Sequence, residues 1–443
     1  MIKKIFMERT LLYGVTMNVI ASVKMAGCQD IENIKTAIDF AVNRFESLRC
    51  RILQDTNGEA YYVMREERVV PYIEVRNYHM DIQEFTNQQE RMPFRWDKGE
   101  MARFYIEDLG SEVYLRIVVH HVAGDGKSVM MLADEIMKNL SRIEENTFTY
   151  EDEPIVPLKQ YGKEFFEEHF DILDLMKCSM DEFNEKWKKE ERKFSYADYL
   201  DIFNKYWSVN RMQVKCLKVS PSEMKNLHSL GKANNVSINS IIMTAAAKAL
   251  VEPEKILVVV DARPEGWKGM GNYAGGIQIE GMYDASKSFW ENAKYNHNQT
   301  HAQIVDRRDA LIGTAIPGLL NCNLRDAVAL NETGCYDNKI AHMYDDAFGM
   351  KKNSFAFIIS NIGADLVKPK YGEINVEEVE FESPVIPKAN CNMAVTTVGG
   401  VMNIVMQYRE NCEINYEMML NQMEDILMKV AHEADIEREH QLA

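Results

Sequence analysis

The order of apolar and polar residues in the first half of the chain predicts alternating strands and helices. Apolar side chains at alternate positions from Val15 to Ala21 predict a strand over Gly14–Lys24. A helix is predicted from about Asp30, where apolar residues recur at helical spacing: Ile31, Ile34, Ala37, Ile38, Ala41 and Phe45. The same reasoning predicts three more strands and one more helix: Arg51–Leu53, Ala60–Val63 and Val113–His121, then Lys127–Leu140.

The second half of the chain repeats this order. A strand is predicted at Val214–Val219, and Ser220–Glu223 then has the spacing of a capping box with proline at the first helical position. Ser237 is placed to cap an apolar helix over Ile238–Val251. Later strands are predicted around a Gly399-Gly400 hairpin turn and at two earlier sites: Val395–Val398, Val401–Met406, Ile256–Val260 and Ser354–Ser360.

The segment between these halves differs in composition from both. Residues 145–210 mix acidic and aromatic side chains, and Glu185–Lys193 is a dense run of charge that indicates a solvated helix or a crossover connection. We place the boundary of two lobes near Tyr206–Arg211, which gives residues 1–205 and 206–443. The predicted fold class is α/β, with a mixed sheet and packed helices in each lobe.

The composition of the chain argues against several classes of function. The chain of 443 residues has 68 acidic and 51 basic residues, a net charge of -17 that is unsuited to a nucleic-acid partner. Its eight scattered cysteines form no CxxC pair, so we expect reduced thiols in a cytoplasmic protein rather than a zinc site or a disulfide scaffold. The longest apolar stretch, Ile241–Leu250, is too short to span a membrane and contains Lys248.

Candidate chemistry is concentrated in Val118–Gly126, where two adjacent histidines precede a glycine-flanked aspartate. Because successive strand side chains point to opposite faces, His121 shares the apolar face of Val119 and His120 points to the opposite face. A desolvated neutral imidazole is an effective general base, so His121 is the candidate. Neighbours on one strand cannot easily reach one ion, and no metal site is predicted. The alternative is a pair of structural histidines that close the strand.

His120-His121-x-x-x-Asp125-Gly126 resembles the HHxxxDG motif of the chloramphenicol-acetyltransferase-like acyltransferases, a superfamily that includes alcohol acetyltransferases and peptide-synthetase condensation domains. Further similarity lies in Phe45–Arg49, although the family's His-Pro is missing there, and in Val260–Pro264 with its arginine. Gly271-Asn272 and the SNxG-like Ser360–Gly363 follow at plausible intervals. The resemblance implies two lobes of this fold in a V-shaped pseudodimer, with a channel between them.

The resemblance also implies a role for each matching residue. His121 would deprotonate the acceptor hydroxyl or amine as it attacks a thioester, and His120 would support the loop. Asp125 would form a buried ion pair with Arg263, and Gly126 would leave the turn free of a side chain. Two further sets would position the oxyanion or thioester and contact phosphate groups: Asn361 and Ser360, then Lys351, Lys352, Lys368 and Lys370.

Simpler interpretations stay open for several of these residues. Asp125 could only cap the following helix, Arg263 could pair elsewhere, and Ser360–Gly363 could be only a strand-ending turn. The lysines could serve only solubility. No GxSxG sequence is present, which favours direct transfer over an acyl-enzyme, and no GxGxxG supports a dinucleotide.

The predicted function is transfer of an acyl group from a thioester to a small-molecule alcohol or amine. Acyl-CoA is expected as the co-substrate, because the net charge of -17 would repel an acidic carrier protein. No permanently bound cofactor is expected. The chain is expected to act as a monomer. The alternatives are a condensation-type enzyme that takes its acyl group from a carrier protein, and a non-catalytic binding or scaffold protein of the same fold.

Overall fold

The computed structural model describes residues 2–27, 29–190, 192–250, 255–348 and 355–442. The strands are β1 Ile2–Lys4, β2 Asn18–Ala26, β3 Cys50–Gln54, β4 Ala60–Met64, β5 Tyr72–Arg76, β6 Ala102–Asp108, β7 Glu112–His120, β8 Met212–Val219, β9 Lys255–Asp261, β10 Ala274–Glu280, β11 Ile358–Ala364, β12 Lys370–Tyr371, β13 Ile374–Glu382, β14 Cys391–Val398 and β15 Val401–Arg409. The helices are α1 Arg9–Leu12, α2 Ile31–Arg44, α3 Glu46–Arg49, α4 Ile82–Glu90, α5 Gly126–Glu144, α6 Lys163–His169, α7 Ile172–Trp187, α8 Tyr196–Val209, α9 Pro221–Ala233, α10 Ile238–Ala249, α11 Phe289–Gln303, α12 Ile312–Ala315, α13 Cys322–Asn331, α14 Lys339–Phe348 and α15 Tyr416–Leu442.

The first large sheet has six strands in the order β12-β13-β2-β7-β6-β5, and only the β5–β6 pair is parallel among its pairings in the described chain. Its central pair, β2 and β7, runs antiparallel with Asn18 opposite His120. Helices α2 and α5 pack together on this sheet and bury their apolar faces in one core. A small sheet of three strands, β1-β4-β3, lies beside it.

The second large sheet also has six strands, in the order β10-β9-β11-β14-β15-β8. It is mixed, because β11 runs parallel to both β9 and β14 while the outer pairs are antiparallel. Helices α9, α10 and α15 cover one face, and their side chains form a second apolar core with the sheet. Two mixed sheets flanked by helices are the architecture that the residue pattern predicts.

One strand crosses between the two halves of the chain. β13 follows β11 in sequence but pairs with β2, where Phe381 lies opposite Ala21. Sheet membership therefore does not divide at a single point of the chain. The boundary at residues 205 and 206 stays a prediction. It does not describe β12 and β13, which follow residue 206 in the sequence but belong to the first sheet.

Most predicted elements are present, with small shifts at their ends. Ser220 and Ser237 cap α9 and α10 as expected, and Asp30 caps α2. Gly399 and Gly400 form the predicted hairpin turn with φ of 57° and 84°, angles that favour glycine. The first predicted strand corresponds to β2, which begins at Asn18 rather than at Gly14. Val251 and Ser354, at the ends of two other predicted elements, lie outside the described residues. The segment 145–210 contains α6, α7 and α8. The charge run Glu185–Lys193 starts in the last turn of α7, which ends at Trp187.

Candidate active site

His121 lies at the end of the central strand of the first sheet. β7 ends at His120, and the backbone N–H of His121 donates to the Met17 carbonyl at 2.8 Å in the turn that follows. The observed strand thus ends one residue before the predicted end, and the prediction that His121 shares the apolar face of Val119 stays a prediction. His121 lines a channel of about 920 Å³ between the two large sheets.

The neighbouring histidine has a packing environment. His120 is 1% exposed, its ring lies edge-on to Phe94 at 5.4 Å, and its Nδ1 accepts a hydrogen bond from the Val122 N–H. Burial lowers the pKa of His120 to about 3, and His121 and Arg103 add to that fall. His120 is therefore held neutral inside the first lobe and does not line the channel.

The electrostatics of His121 also favour the neutral ring. Burial lowers the pKa of His121, although its own backbone and the Asp125 carboxylate act in the opposite direction. A neutral imidazole that borders a channel can accept a proton from a bound hydroxyl or amine. This arrangement meets the requirement for a general base at neutral pH.

Asp125 and Arg263 form an ion pair between segments that lie 138 residues apart. Arg263 Nη2 lies 2.9 Å from Asp125 Oδ1 and 3.2 Å from Oδ2, and the side chains are 3% and 5% exposed. The Tyr273 N–H donates to Asp125 Oδ2 at 2.9 Å, and the Asp125 N–H donates to the Gly271 carbonyl. We call these contacts the clasp, because they join the start of α5 to the segment between β9 and β10.

Asp125 also caps α5. Its Oδ1 accepts from the Ser128 N–H and from the Ser128 hydroxyl, each at 2.8 Å. The sequence left two interpretations of Asp125 open, a helix cap and an ion pair with Arg263, and in the structure the one carboxylate makes both contacts. A second ion pair, from Lys127 to Asp261 at 2.8 Å, runs beside the clasp, and Asp261 also contacts Arg263. Sequence reasoning did not find Lys127 or Asp261.

Gly126 is required for space rather than for a special backbone angle. It is the first residue of α5, and a Cβ built on it would lie 2.3 Å from the ring of Phe381. Phe381 belongs to β13, the strand that crosses from the second half of the chain. A side chain at this position would force the Phe381 ring to shift.

Ser360 and Asn361 lie on β11 and line the same channel as His121. The Asn361 amide donates a long hydrogen bond of 3.4 Å to Asn239, and its oxygen accepts from the Gly363 N–H. The ladder with β14 is irregular after Asn361, and Gly363 has φ of +88°, so this is both a strand and the predicted turn. An amide donor facing the channel is therefore available to a bound carbonyl.

Of the four predicted phosphate-binding lysines, the structure describes two, and these two do not line the channel. Lys351 and Lys352 are outside the described residues, and Lys368 and Lys370 are exposed beside a separate surface depression near Tyr371. Several other cations line the channel: Lys127, Lys255, Arg307, Arg325, Lys388 and Arg409. Lys127 is paired with Asp261, whereas Lys255 and Arg307 form no ion pair within the described part of the chain.

The channel wall also contains residues that the sequence analysis did not single out. They come largely from the helical segment before β11 and from the loop before β14: Arg325, Glu332, Tyr344, Phe348 and Lys388. No motif marks them, and only the folded chain brings them near His121.

Away from the channel, one group could offer ligand atoms to a metal. His169, Asp306 and Asp309 place such atoms within 4.8 Å of one another. Asp306 is already bound by the Arg308 guanidinium, and Asp309 is exposed. The group does not border the channel, so it plays no part in the chemistry at His121.

A family model for the condensation domain matches residues 6–254, more than half of the chain. The chain belongs to the condensation-domain family. The matched range contains His120–Gly126, whereas Arg263 and Asn361 lie beyond it. No helix among the described residues is long and apolar enough to cross a membrane.

Known proteins share part of the sequence or the fold of this chain. One plipastatin synthase subunit of Bacillus subtilis (strain 168) is 25% identical over 124 residues, which are 27% of this chain and 5% of that protein. The chain thus spans a small part of that relative. Solved structures share the fold at low identity: the first condensation domain of the CDA synthetase (13% identical, TM-score 0.60, covering 98% of this chain and 95% of that chain), and TRI3 trichothecene 15-O-acetyltransferase from Fusarium sporotrichioides (10%, 0.66, 97% and 94%). Polyketide synthase associated protein 5 from Mycobacterium tuberculosis (12%, 0.61, 97% of each chain) has the same fold.

Proposed function

We propose that this condensation-domain protein is an acyltransferase that moves an acyl group from a thioester to a hydroxyl or amine of a small molecule. The observation that carries the proposal is the position of His121, on the wall of the channel between the sheets and four residues before the clasp aspartate. Membership of the family and the fold shared with an acetyltransferase support a transferase.

His121 acts as the general base in the proposed reaction. Its ring accepts the proton of the acceptor as the oxygen or nitrogen attacks the thioester carbonyl, the carbon–sulfur bond breaks, and the proton passes to the leaving thiolate. Asn361, with Ser360, donates hydrogen bonds to the oxyanion or positions the thioester. Transfer is direct, because no cysteine lines the channel within the described residues and no serine there has a basic partner of the His121 type.

Acyl-CoA is the proposed donor, as a co-substrate rather than a bound cofactor. Lys255 and Arg307 line the channel without an ion pair in the described chain, so they are available to phosphate groups. A net charge of -17 disfavours long-range steering of an acidic carrier protein. We place the protein in the cytoplasm, in keeping with its scattered cysteines. We propose that it acts as a monomer.

A second candidate is a condensation-type reaction with a carrier-protein-bound donor. The family match and the partial similarity to a component of the plipastatin synthase favour it. A non-catalytic scaffold is the third candidate. A scaffold protein needs neither the clasp nor an open channel, so these features do not favour it. The identity of the acyl donor therefore distinguishes the CoA-dependent acyltransferase from the condensation-type enzyme. Any catalytic turnover distinguishes these two enzymes from a non-catalytic scaffold.

The experiment compares purified wild type with His121→Ala and His120→Ala. Each is assayed with acetyl-CoA and with an acylated carrier protein, against a panel of alcohols and amines. We expect turnover with acetyl-CoA, a loss of about 10²–10⁴-fold in kcat for His121→Ala, and a milder effect of His120→Ala that follows its stability. Equal rates of wild type and His121→Ala on a verified substrate would refute the mechanism. Turnover with the carrier protein alone, without CoA binding in calorimetry, would establish the second candidate.

A further inference from the structure

One acidic side chain in the channel has no partner. Three acidic residues line the channel in the part of the chain that the structure describes, and two of them, Asp125 and Asp261, are paired with cations. The Glu332 carboxylate makes neither a hydrogen bond nor an ion pair among the described residues, although it borders the same channel as His121. Burial raises the pKa of Glu332 to about 7 because the carboxylate is desolvated there. A partly buried carboxylate of this kind is stabilised by a cation that enters from the channel.

The surroundings of Glu332 favour positive charge. Glu332 follows the last residue of α13, and the C-terminal end of a helix carries partial negative charge. Tyr344 and Phe348 line the channel too, with ring centroids 4.8 Å apart, and aromatic faces attract cations. The Tyr344 phenol oxygen is buried without a hydrogen-bond partner in the described chain. Burial raises the pKa of that phenol, Glu332 adds to the rise, and Arg325 acts in the opposite direction.

We infer that Glu332, together with Tyr344 and Phe348, binds a protonated amine of the acceptor. The acceptor then carries a basic nitrogen in addition to the hydroxyl or amine that attacks the thioester, as diamines and amino alcohols do. Two separate groups are needed, since the attacking nitrogen must be neutral while the nitrogen at Glu332 is charged. This inference rests on the proposed function only in naming the bound molecule as the acceptor.

Two cations of the protein lie near this group, Arg325 and Lys388, and Lys388 is the one whose charge acts on Glu332. Its side chain lines the channel, it forms no ion pair within the described residues, and its charge lowers the pKa of Glu332. A bound ammonium group has to share or replace this interaction. Removing the charge of Lys388 should therefore strengthen the binding of a cation, whereas removing that of Glu332 should weaken it. A purely structural role for either residue would not give effects of opposite sign.

The test is calorimetric titration of the full chain with putrescine, with n-butylamine as a probe that has one amine and n-butanol as a neutral probe whose binding Glu332→Gln should leave unchanged. We expect putrescine to bind wild type, Glu332→Gln to weaken binding by about 10- to 100-fold, the factor for one charge-assisted hydrogen bond, and Lys388→Met to tighten it. Equal affinity of Glu332→Gln and wild type would overturn the inference, as would weaker binding by Lys388→Met.

Acyl-transfer assays with the same probes separate the two proposals. If putrescine binds through Glu332 but is never acylated by any donor, the acyltransferase function fails and the cation site stands. If simple alcohols are acylated with the same kcat/KM as amino alcohols, and Glu332→Gln changes neither, the function stands and the cation site fails. Circular dichroism of each variant confirms that the compared proteins are folded.

Discussion

The clasp between Asp125 and Arg263 offers a measurable test of how the two halves of the chain are joined. Asp125→Ala removes the ion pair, the bond from the Tyr273 N–H and the cap of α5 at once. Breaking a buried pair costs about 3–5 kcal/mol, and losing a cap costs about 0.5–2 kcal/mol. Arg263 keeps Asp261 at 3.1 Å, which offsets part of the loss, so we expect about 4 kcal/mol for this variant.

Arg263→Ala should cost less, about 2–3 kcal/mol, because the Asp125 carboxylate keeps its bonds from Ser128 and Tyr273. The double variant should then be less destabilised than the sum of the single variants, by about 1–3 kcal/mol. Urea unfolding, followed by tryptophan fluorescence and circular dichroism, measures each free energy from the midpoint and the slope.

Arg308→Ala is the matched control for the clasp, because this arginine also pairs with an aspartate, Asp306, but its side chain is 48% exposed. We expect it to change stability by less than about 1 kcal/mol. Additivity of the Asp125 and Arg263 variants to within about 0.5 kcal/mol would refute the reasoning, since coupled residues must interact in the cycle.

Three further predictions concern pH and packing around the channel. Because burial lowers the pKa of His121, the acidic limb of the kcat/KM profile for acyl transfer should lie below the ordinary value of 6.5, and a limb above it would contradict a neutral base. Gly126→Ala should reduce stability and activity by forcing the Phe381 ring aside, and Phe381→Leu should restore part of both; no rescue would show that the contact is not limiting. Burial raises the pKa of Glu382 to about 8 from an unfolded value of 4.5, so the folded protein holds a proton that the unfolded chain releases, and stability falls as pH rises between these values. Glu382→Gln should make the urea midpoint fall less steeply over that range, and an unchanged slope would argue against a buried protonated carboxyl.

Local signals are sufficient for the elements that carry the motif. The capped start of α5, the alternation in β7 and the glycine hairpin depend on residues that are close in sequence, so pattern alone predicts them. The predicted end of β7 lies one residue beyond the observed end. That single residue matters, because the alternation rule assigns a face only while the strand continues.

Contacts between distant segments are not accessible to the same reasoning. α13 is buried on nearly all sides, including Arg325 and Asp326, so it lacks the one-sided apolar stripe of a surface helix. β13 has strand-like alternation, but a register shift between Val376 and Glu378 interrupts it, and nothing local shows that it pairs with β2. The partner of Asp125 came from the family resemblance, because no periodicity relates residues 138 positions apart.

The segment from His121 to Ser128 links the proposed chemistry to the junction of the two sheets. Its first residue is bonded to Met17 beside β2, and Asp125 is bonded to Arg263, Gly271 and Tyr273 on the other side of the channel. A turn followed by the capped first turn of a helix has little freedom to stretch. A change in the separation of the sheets must therefore either move His121 or break the clasp. In the proposed reaction the same contacts set the width of the channel, which governs acceptor binding, and the position of the base, which governs proton transfer. Conservative changes in the clasp that leave the chain folded should consequently alter kcat and KM together, whereas His121→Ala should act on kcat alone.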